Sequence, residues 1–541
     1  MEHYTLKNLA LQRFGKHVSE LFVKMLVLSK RFSEHEFDRK YLKQTCLYLE
    51  EYVHKNLPRT LANDLSDVMI RMISLALKLQ WKSEFENTWN SKWDQNRHNY
   101  YYGAESFDGY SDFVDKSTAL AVQISCAVTH KSLTTFKCDE ASDLCFQQKY
   151  LQQMLLRTVN FKEIILDKMP MITPLPHLPI LECLSSQNTK IDIVKNVTEG
   201  NDRLKILNMQ MAGIPHFQGR EVCDFILKLK NMTHLNITGV YFLDDFIRER
   251  FFQSLGSVKE FSGSSDCSSH RTELKCLALF PLHDDHLFIP RFLPNITSLE
   301  ITLFHEIDLF PLKDLKNLTS LAIMAPTTPF SFPSFGNLIQ EIGSRLLVLK
   351  VFLSAVNFKL IATHCTQLKS FVYCFTSTME QFVGPAVASG TISNYFASKI
   401  TTVENLELRL HGEHIWICFP YILNCFPNIK KLKLHSLQKP EEQNVSLRES
   451  IILPLSSGHF EEFIFNNKKV EICGERAFIT SSNGYVVTIP VRGLEDVMKD
   501  IRLCKEIPDM GRKYIVVPRQ KFNFPITMMQ QFHSEIDFDT L

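Results

Sequence analysis

The amino-acid sequence predicts an α/β solenoid that follows a small all-helical N-terminal module. Three observations support this fold class. A short apolar phrase recurs along most of the chain, the segments between its copies have helical spacing, and residues 1–80 carry amphipathic helices instead. Of the 541 residues, 45% are hydrophobic and 22% are charged, which suffices for a large core and excludes wholesale disorder.

The recurring phrase is one apolar residue, two variable residues, a second apolar residue, one variable residue and a third apolar residue. The second and third apolar residues are two positions apart, so on a strand both point to the same side, towards a core. Copies begin at Leu133, Phe161, Leu178, Leu204, Met232, Leu274, Ile296, Leu318, Leu346, Leu368, Val403 and Ile429, and weaker copies at Val258 and Phe460.

The segments between copies read as helices or short turns. Residues 220–229, 244–255 and 335–347 have apolar residues at helical spacing. Proline follows two such segments, in Phe292-Leu-Pro-Asn295 and in Cys425-Phe-Pro-Asn428, where it directs the chain from the helix into the strand. Alternation of strand and helix at this period predicts stacked repeats.

From about Leu133 to Phe465 the chain resembles an irregular leucine-rich-repeat protein. The last position of the family pattern, Asn or Cys after the third apolar residue, is mostly missing. The resemblance implies a leucine-rich-repeat solenoid, curved into a horseshoe, with strands on the concave side and a protein partner. We therefore assign 1–80 to the helical module, 81–118 to an aromatic-rich polar loop, 119–475 to the horseshoe and 476–541 to a C-terminal cap and tail.

Two fragments of the helical module resemble docking motifs of ubiquitin-ligase receptors. Thr5 to Phe14, with Leu6, Ala10 and Phe14, resembles an elongin-binding box, and the stretch with Leu57, Pro58 and Leu61 resembles the cullin-contacting part of SOCS-box and VHL-box proteins. Read through Trp81, that second stretch also resembles an F-box. These resemblances imply docking to elongin C or to the F-box adaptor, with a cullin. The alternative is a helical cap that only shields the first repeat.

The composition and the missing motifs exclude several functions. Lys plus Arg total 60 and Asp plus Glu 59, so no overall charge favours nucleic acid or an anionic membrane surface. Phosphate loops, nucleophile elbows and zinc-ligand spacings are missing, so we expect no enzyme activity, cofactor or metal. The fourteen cysteines lack Cys-x-x-Cys spacing, and no secretory signal or membrane span precedes them, so we expect free thiols and a cytoplasmic or nuclear location.

The expected binding face consists of strand residues that point away from the core. The charged residues among them lie mainly in the later repeats. Alignment of adjacent repeats places Arg409 beside His435 and Glu407 beside Lys433. One interpretation is a patch that selects a partner of complementary charge, and the other is an ordinary solvated face with cross-strand pairing. The expected partner-binding residues are Glu300, Lys350, Asn405, Glu407, Arg409, Lys431, Lys433 and His435.

The function that these patterns favour is a protein-binding repeat protein that recognises the substrate of a cullin-RING ubiquitin ligase. The alternative is a scaffold or regulatory horseshoe without ligase links.

Overall fold

The structure is a computed structural model with two compact units, Met1–Leu274 and Lys275–Leu541, here called the N-terminal and C-terminal units. Among the helices in the described part of the chain, none is both long and apolar enough to span a membrane. The described residues are 6–95, 108–137, 144–157, 160–166, 174–187, 201–210, 226, 228–237, 245–255, 274–279, 285–303, 307–324, 333–353, 356–375, 396–410, 415–436, 460–466, 468–473, 475–480, 485–491 and 515–518.

The N-terminal unit begins with packed helices. The long helices pack through apolar faces that include Val18, Phe22, Leu65 and Leu77, all of which are buried. A short π-helical turn, Asp38–Leu42, joins the second helix to the third, and a 3-10 turn, Arg59–Leu61, precedes the fourth. The helices are α1 (Leu6–Ser29), α2 (Glu34–Phe37), α3 (Lys43–Asn56), α4 (Ala62–Gln95), α5 (Asp108–Val128) and α6 (Leu144–Arg157).

The helix α4 runs far beyond the predicted end of the helical module. The interpretation of 81–118 as a loop is wrong for residues 81–95 and 108–118, which belong to α4 and α5. Trp81 joins these two helices, because its indole N–H donates to Ser117 Oγ at 2.8 Å. Polar residues on the exposed side of these helices gave the stretch its loop-like composition.

The helices α1 and α4 approach closely at Gly15. A Cβ atom at this position would lie 2.7 Å from Val68 Cγ1 and 3.2 Å from Met72 Cγ. Only a residue without a side chain fits there, so Gly15 sets the separation of the two helices.

In the described part of the N-terminal unit, five parallel strands follow, each paired with the next in chain order. The central apolar residues lie side by side across the sheet: Phe136, Ile164, Leu184, Leu207 and Leu235. The strands are β1 (Thr135–Lys137), β2 (Glu163–Leu166), β3 (Cys183–Gln187), β4 (Ile206–Gln210) and β5 (His234–Asn236), and helix α7 (Asp245–Leu255) comes after them.

This register confirms the predicted repeats except one. The copy assigned to Leu178, Leu181 and Cys183 is wrong by three residues, because Leu184 pairs with Ile164. Leu178, Leu181 and Leu184 are each three residues apart, so the first two apolar positions of the phrase fit them in either register. The third inward position of the observed strand holds Ser186, which is buried but polar and therefore does not match the phrase. The copy at Val258 and most of the predicted helix 220–229 lie outside the described residues.

The helical module covers the first strand directly. Asn63 Oδ1 at the start of α4 accepts hydrogen bonds from the backbone N–H of Thr134 at 3.0 Å and of Thr135 at 3.2 Å, and Asn63 Nδ2 donates to Thr134 Oγ1 at 3.1 Å. These bonds satisfy backbone donors at the beginning of β1, where the strand has no preceding repeat. The module therefore caps the repeats of its unit.

The described part of the C-terminal unit contains eight consecutive parallel strands. Where the connections between them are described, they carry four helices and the 3-10 turns Phe310–Asp314 and Gly343–Arg345. The helices are α8 (Asp285–Phe292), α9 (Pro333–Ile342), α10 (Phe358–His364) and α11 (Ile415–Cys425). The strands are β6 (Cys276–Leu279), β7 (Ser298–Thr302), β8 (Ser320–Met324), β9 (Val348–Phe352), β10 (Ser370–Phe375), β11 (Asn405–Leu410), β12 (Lys431–Ser436) and β13 (Glu462–Phe465).

The repeats stack through one recurring backbone contact. The carbonyl oxygen of Lys275 accepts N–H groups from Thr297 at 2.9 Å and Ser298 at 3.1 Å, and the Thr297 carbonyl accepts those of Thr319 and Ser320 in the same way. Asn295 and Asn317, one repeat apart, are also joined by a 3.0 Å side-chain hydrogen bond. The same geometry at each step keeps consecutive strands in one register.

The sheet of the C-terminal unit ends in antiparallel strands. β13 pairs with β14, and each following strand pairs with its predecessor in antiparallel orientation. Lys468 and Val470 are among the buried residues of this segment. The added strands are β14 (Lys468–Cys473), β15 (Arg476–Thr480), β16 (Tyr485–Pro490) and β17 (Ile515–Pro518).

Replacement of Asn63 by alanine tests the capping contact. We expect Asn63→Ala to lower the free energy of unfolding of the N-terminal unit by about 1–3 kcal/mol, because it leaves two backbone donors of β1 without acceptors. Urea denaturation followed by tryptophan fluorescence measures this, since Trp81, Trp89 and Trp93 all lie in α4.

Asn56→Ala is the matched control. Asn56 is exposed and donates only to the Tyr52 carbonyl of its own helix. An equal effect of both variants would contradict the capping role of Asn63.

Candidate protein-binding surface

The predicted partner-binding residues lie on one face of the C-terminal unit, opposite the buried leucines of its strands. Glu407 pairs in register with Lys433 and Arg409 with His435, as predicted, and Asn405 pairs with Lys431. The row of Glu407 and Lys433 continues to both sides. In strand order its residues are Ala278, Glu300, Ala322, Lys350, Val372, Glu407, Lys433 and Ile464.

Glu407 is the centre of a small charge network. Arg409 donates its Nε–H to Glu407 Oε1 at 2.9 Å, and its Nη2 lies 2.9 Å from the same oxygen in an ion pair. Lys433 Nζ lies 3.5 Å from Oε2, and His435 Nε2 lies 3.7 Å from Oε1. The Glu407 side chain is only 18% exposed, so solvent screens these interactions less than it does an open surface pair.

Two effects on the Glu407 carboxyl oppose each other. Partial burial raises its pKa, but the hydrogen bond from Arg409 and the charges of Lys433 and Arg409 outweigh burial, so the pKa lies below its ordinary value of 4.5. Glu407 is therefore ionised at neutral pH. The cross-strand charge pairs expected for an ordinary solvated face are therefore present. Their presence is compatible with binding of a partner by the same side chains.

Other predicted residues lie outside this network. Glu300 is separated from Lys350 by Ala322 of β8. Lys431 forms an ion pair at 3.4 Å with Glu462 of β13, a residue that the sequence analysis did not select. Phe352 was also not predicted, and its ring centroid lies 5.1 Å from the Arg409 guanidinium. Phe352 directly follows the third apolar residue of its repeat, the position at which Arg409 and His435 were predicted, so the same pattern could have identified it.

A second charge triad lies one position before the strands. Lys369 Nζ and Lys430 Nζ approach Glu404 Oε1 and Oε2 at 3.1 and 3.0 Å. Hydrogen bonds from Lys430 and Lys369 lower the pKa of Glu404. This exposed triad has the same charges as Arg409, Glu407 and Lys433. Its residues directly precede β10, β11 and β12.

In the N-terminal unit the residues of the predicted docking motifs have different environments. Ala10 is exposed and Phe14 is half-buried, with its ring stacked on Tyr52 at 5.8 Å. Leu57 and Leu61 are half-buried beside the exposed Pro58, and the Leu6 side chain lies outside the described part.

Apolar side chains of α3 extend this exposed surface. Leu47 is 58% exposed, Tyr48 66% and Tyr52 39%, and the Tyr48 and Tyr52 rings lie 6.3 Å apart. Tyr48 and Tyr52 thus form an exposed aromatic surface beside Phe14.

Within the described ranges, eight cysteines have free thiols: Cys46, Cys126, Cys183, Cys276, Cys365, Cys374, Cys425 and Cys473. Burial raises the pKa of the Cys126 thiol to about 11 and that of Cys365 to about 12, which keeps both neutral. Within the same ranges, no group of three or more His, Cys, Asp or Glu side chains could hold a metal ion.

Several solved structures match this chain, and an internalin is one of them. An internalin from Listeria monocytogenes is 13% identical to this chain, with a TM-score of 0.24, and the alignment covers 50% of this chain and 65% of the internalin. The chain thus spans less than two thirds of the internalin, and the fold rests on the strand pairing described above. No family model matches the chain, and no curated protein matches it.

The charge network of Glu407 makes local stability depend on pH. The pKa of Glu407 is lowered in the folded chain, so its stabilisation is fully present above pH 4.5 and is lost as the pH falls through the folded pKa. We expect Glu407→Gln to lower local stability by about 1 kcal/mol at pH 7 and to have no effect once wild-type Glu407 is protonated. Hydrogen exchange of the β11 and β12 amides measures this.

Glu404→Gln in the exposed triad is the control and should cost less at pH 7, because solvent screens that triad. Equal losses in the two variants, or a loss from Glu407→Gln that persists in acid, would contradict the role of the Glu407 charge.

Proposed function

We propose that this chain is a protein-binding repeat protein that holds its partner on the strand face of the C-terminal unit. The observation that carries the proposal is the network of Arg409, Lys433 and His435 around Glu407. Fixed by register and mutual pairing, these side chains form a charged surface that loses little conformational entropy on binding. Complementary charges on a partner would set its orientation and its rate of association.

The finer form of the proposal is a substrate-recognition subunit of a cullin-RING ubiquitin ligase. The resemblance of Thr5 to Phe14 and of Leu57, Pro58 and Leu61 to docking motifs supports it, as does the exposed aromatic surface beside Phe14. In this form the helices bind elongin C or the F-box adaptor, and the strand face binds the protein substrate. The receptor performs no chemistry and raises the effective concentration of the substrate near the enzyme. We place this activity in the cytoplasm or nucleus.

A second candidate is a scaffold or regulatory protein without ligase links. The hydrogen bonds of Asn63 to the start of β1 favour it, because a cap fully accounts for a helical module at this position. The two candidates share the strand face and differ only in whether the helices also bind an adaptor.

Neutralisation of the Glu407 network tests the binding face. The triple variant Arg409→Gln, Glu407→Gln, Lys433→Gln removes the charges without leaving a half-buried carboxylate unpaired. We expect it to lose partners that the wild-type chain captures in affinity purification with quantitative mass spectrometry.

The matched control is Lys369→Gln, Glu404→Gln, Lys430→Gln, which makes the same charge change at the second triad. Partners should persist in this control. If both variants retain the same partners, the binding face lies elsewhere.

The adaptor-docking form has its own test at Leu6. One leucine buried in a partner groove contributes about 1.5–3 kcal/mol, so Leu6→Asp should abolish co-purification of elongin C and leave the circular dichroism spectrum unchanged. Lys24→Asp, at an exposed position of the same helix, should have no effect. Two outcomes would contradict the ligase proposal and favour the scaffold: recovery of elongin C with Leu6→Asp, or failure to recover any adaptor with the wild-type chain.

A further inference from the structure

The strand face beside the Glu407 network has an apolar floor. Val372 of β10 lies in register between Lys350 and Glu407 and is 7% exposed, and Ala322 lies next to Lys350 on its other side. Two residues further along the strands, Met324 pairs with Phe352. Outward positions of a half-solvated sheet are normally polar, so this group is unusual. We call Ala322, Met324, Phe352, Val372 and Cys374 the apolar strip.

Cations lie on both sides of Val372, a member of the apolar strip. Lys350 lies on one side, and no described residue forms an ion pair with it. Arg409 and Lys433 lie on the other side and share the single carboxylate of Glu407. Three permanent cations thus face two carboxylates, Glu407 and Glu300, the latter beside Ala322 in the same row, and the neighbouring pair of Lys431 and Glu462 is internally balanced. The surface around the strip carries an excess of positive charge.

Arg409 connects the two features. Its guanidinium lies over the Phe352 ring, although Arg409 pairs in register with Cys374 of the strand between them. The side chain therefore extends across the strip and holds a cation directly above its apolar surface. A ligand that contacts Phe352 or Cys374 meets this guanidinium at the same time.

We propose that the apolar strip binds an extended segment of the partner protein in which acidic residues flank an apolar residue on both sides. This inference rests on the proposed function and specifies its partner. The apolar side chain would cover Val372, and the flanking carboxylates would reach Lys350 on one side and Arg409 and Lys433 on the other. A basic segment is repelled by the excess positive charge, and a purely acidic one lacks the apolar contact with the strip.

The strand spacing limits the length of this segment. Lys350 and Lys433 lie on β9 and β12, three strand spacings apart, which is about 14 Å at roughly 4.8 Å per spacing. An extended segment advances about 3.3 Å per residue, so its two acidic positions should lie about four residues apart with the apolar residue between them.

Fluorescence anisotropy with labelled synthetic peptides and the full chain tests the inference. The parent peptide has one leucine between two glutamates at this spacing in a serine background, and the comparison peptides replace the leucine by serine or both glutamates by lysine. We expect the parent to bind and each comparison peptide to bind at least about tenfold more weakly. An undetectable affinity of the parent, or equal affinities for the three peptides, overturns the inference.

Variants of the chain locate the bound peptide. Lys350→Gln and Val372→Ser should each weaken the parent peptide by about fivefold or more, whereas Lys369→Gln, an equal charge change in the second triad, should not. Unchanged binding by the Lys350 and Val372 variants overturns the assignment to the strip.

An unbiased peptide library displayed against the full chain separates this inference from the proposed function. Enrichment of apolar residues flanked by acidic ones supports the inference. Enrichment of neutral or basic peptides that still require Arg409 and Lys433 overturns it and leaves the proposed function standing. Selected peptides that bind the neutral triple variant of the Glu407 network as well as they bind the wild-type chain overturn both.

Discussion

The shared register of parallel strands is the constraint on which the other features of each unit depend. The repeats of β2 and of β4 to β13 turn their second and third apolar residues into the core, and a shift by one residue would turn them to solvent. The paired carbonyl contacts between repeats, such as Thr297 with Thr319 and Ser320, hold that register from strand to strand. Because the core fixes the inward positions, it also fixes which side chains meet on the opposite face.

The binding face follows from the same constraint. Glu407, Lys433 and Lys350 are in one row because the buried residues beside them, Leu406, Leu432 and Leu349, are in another. A charged residue at an outward position therefore acquires neighbours from other repeats, far away in sequence. The partly buried Glu407 satisfies its charge entirely through such neighbours, and the same register brings Val372 and Phe352 into reach of the same cations.

The sequence predicted the strands well because a period of two apolar residues is a local signal. It failed at Leu178, where leucines three residues apart fitted two registers and the true inward position held Ser186. It also failed at residues 81–95 and 108–118, where polar composition suggested a loop and packing of Trp81 against Ser117 favoured helices. Cross-strand pairs such as Glu407 with Lys433 were predictable from alignment of the repeats. The apolar strip was not, because it depends on which outward residues lack charge.

In our proposal, the partners of this chain bind the strand face of the C-terminal unit and not its helices. Site-specific photo-cross-linking tests it most directly, with a photoreactive amino acid placed at Lys350 or Lys431 on the strands, or at Lys359 of α10 or Tyr421 of α11, both on helices. We expect cross-links to the bound partner from the two strand positions and none from the two helix positions. Cross-links confined to the helix positions would contradict it.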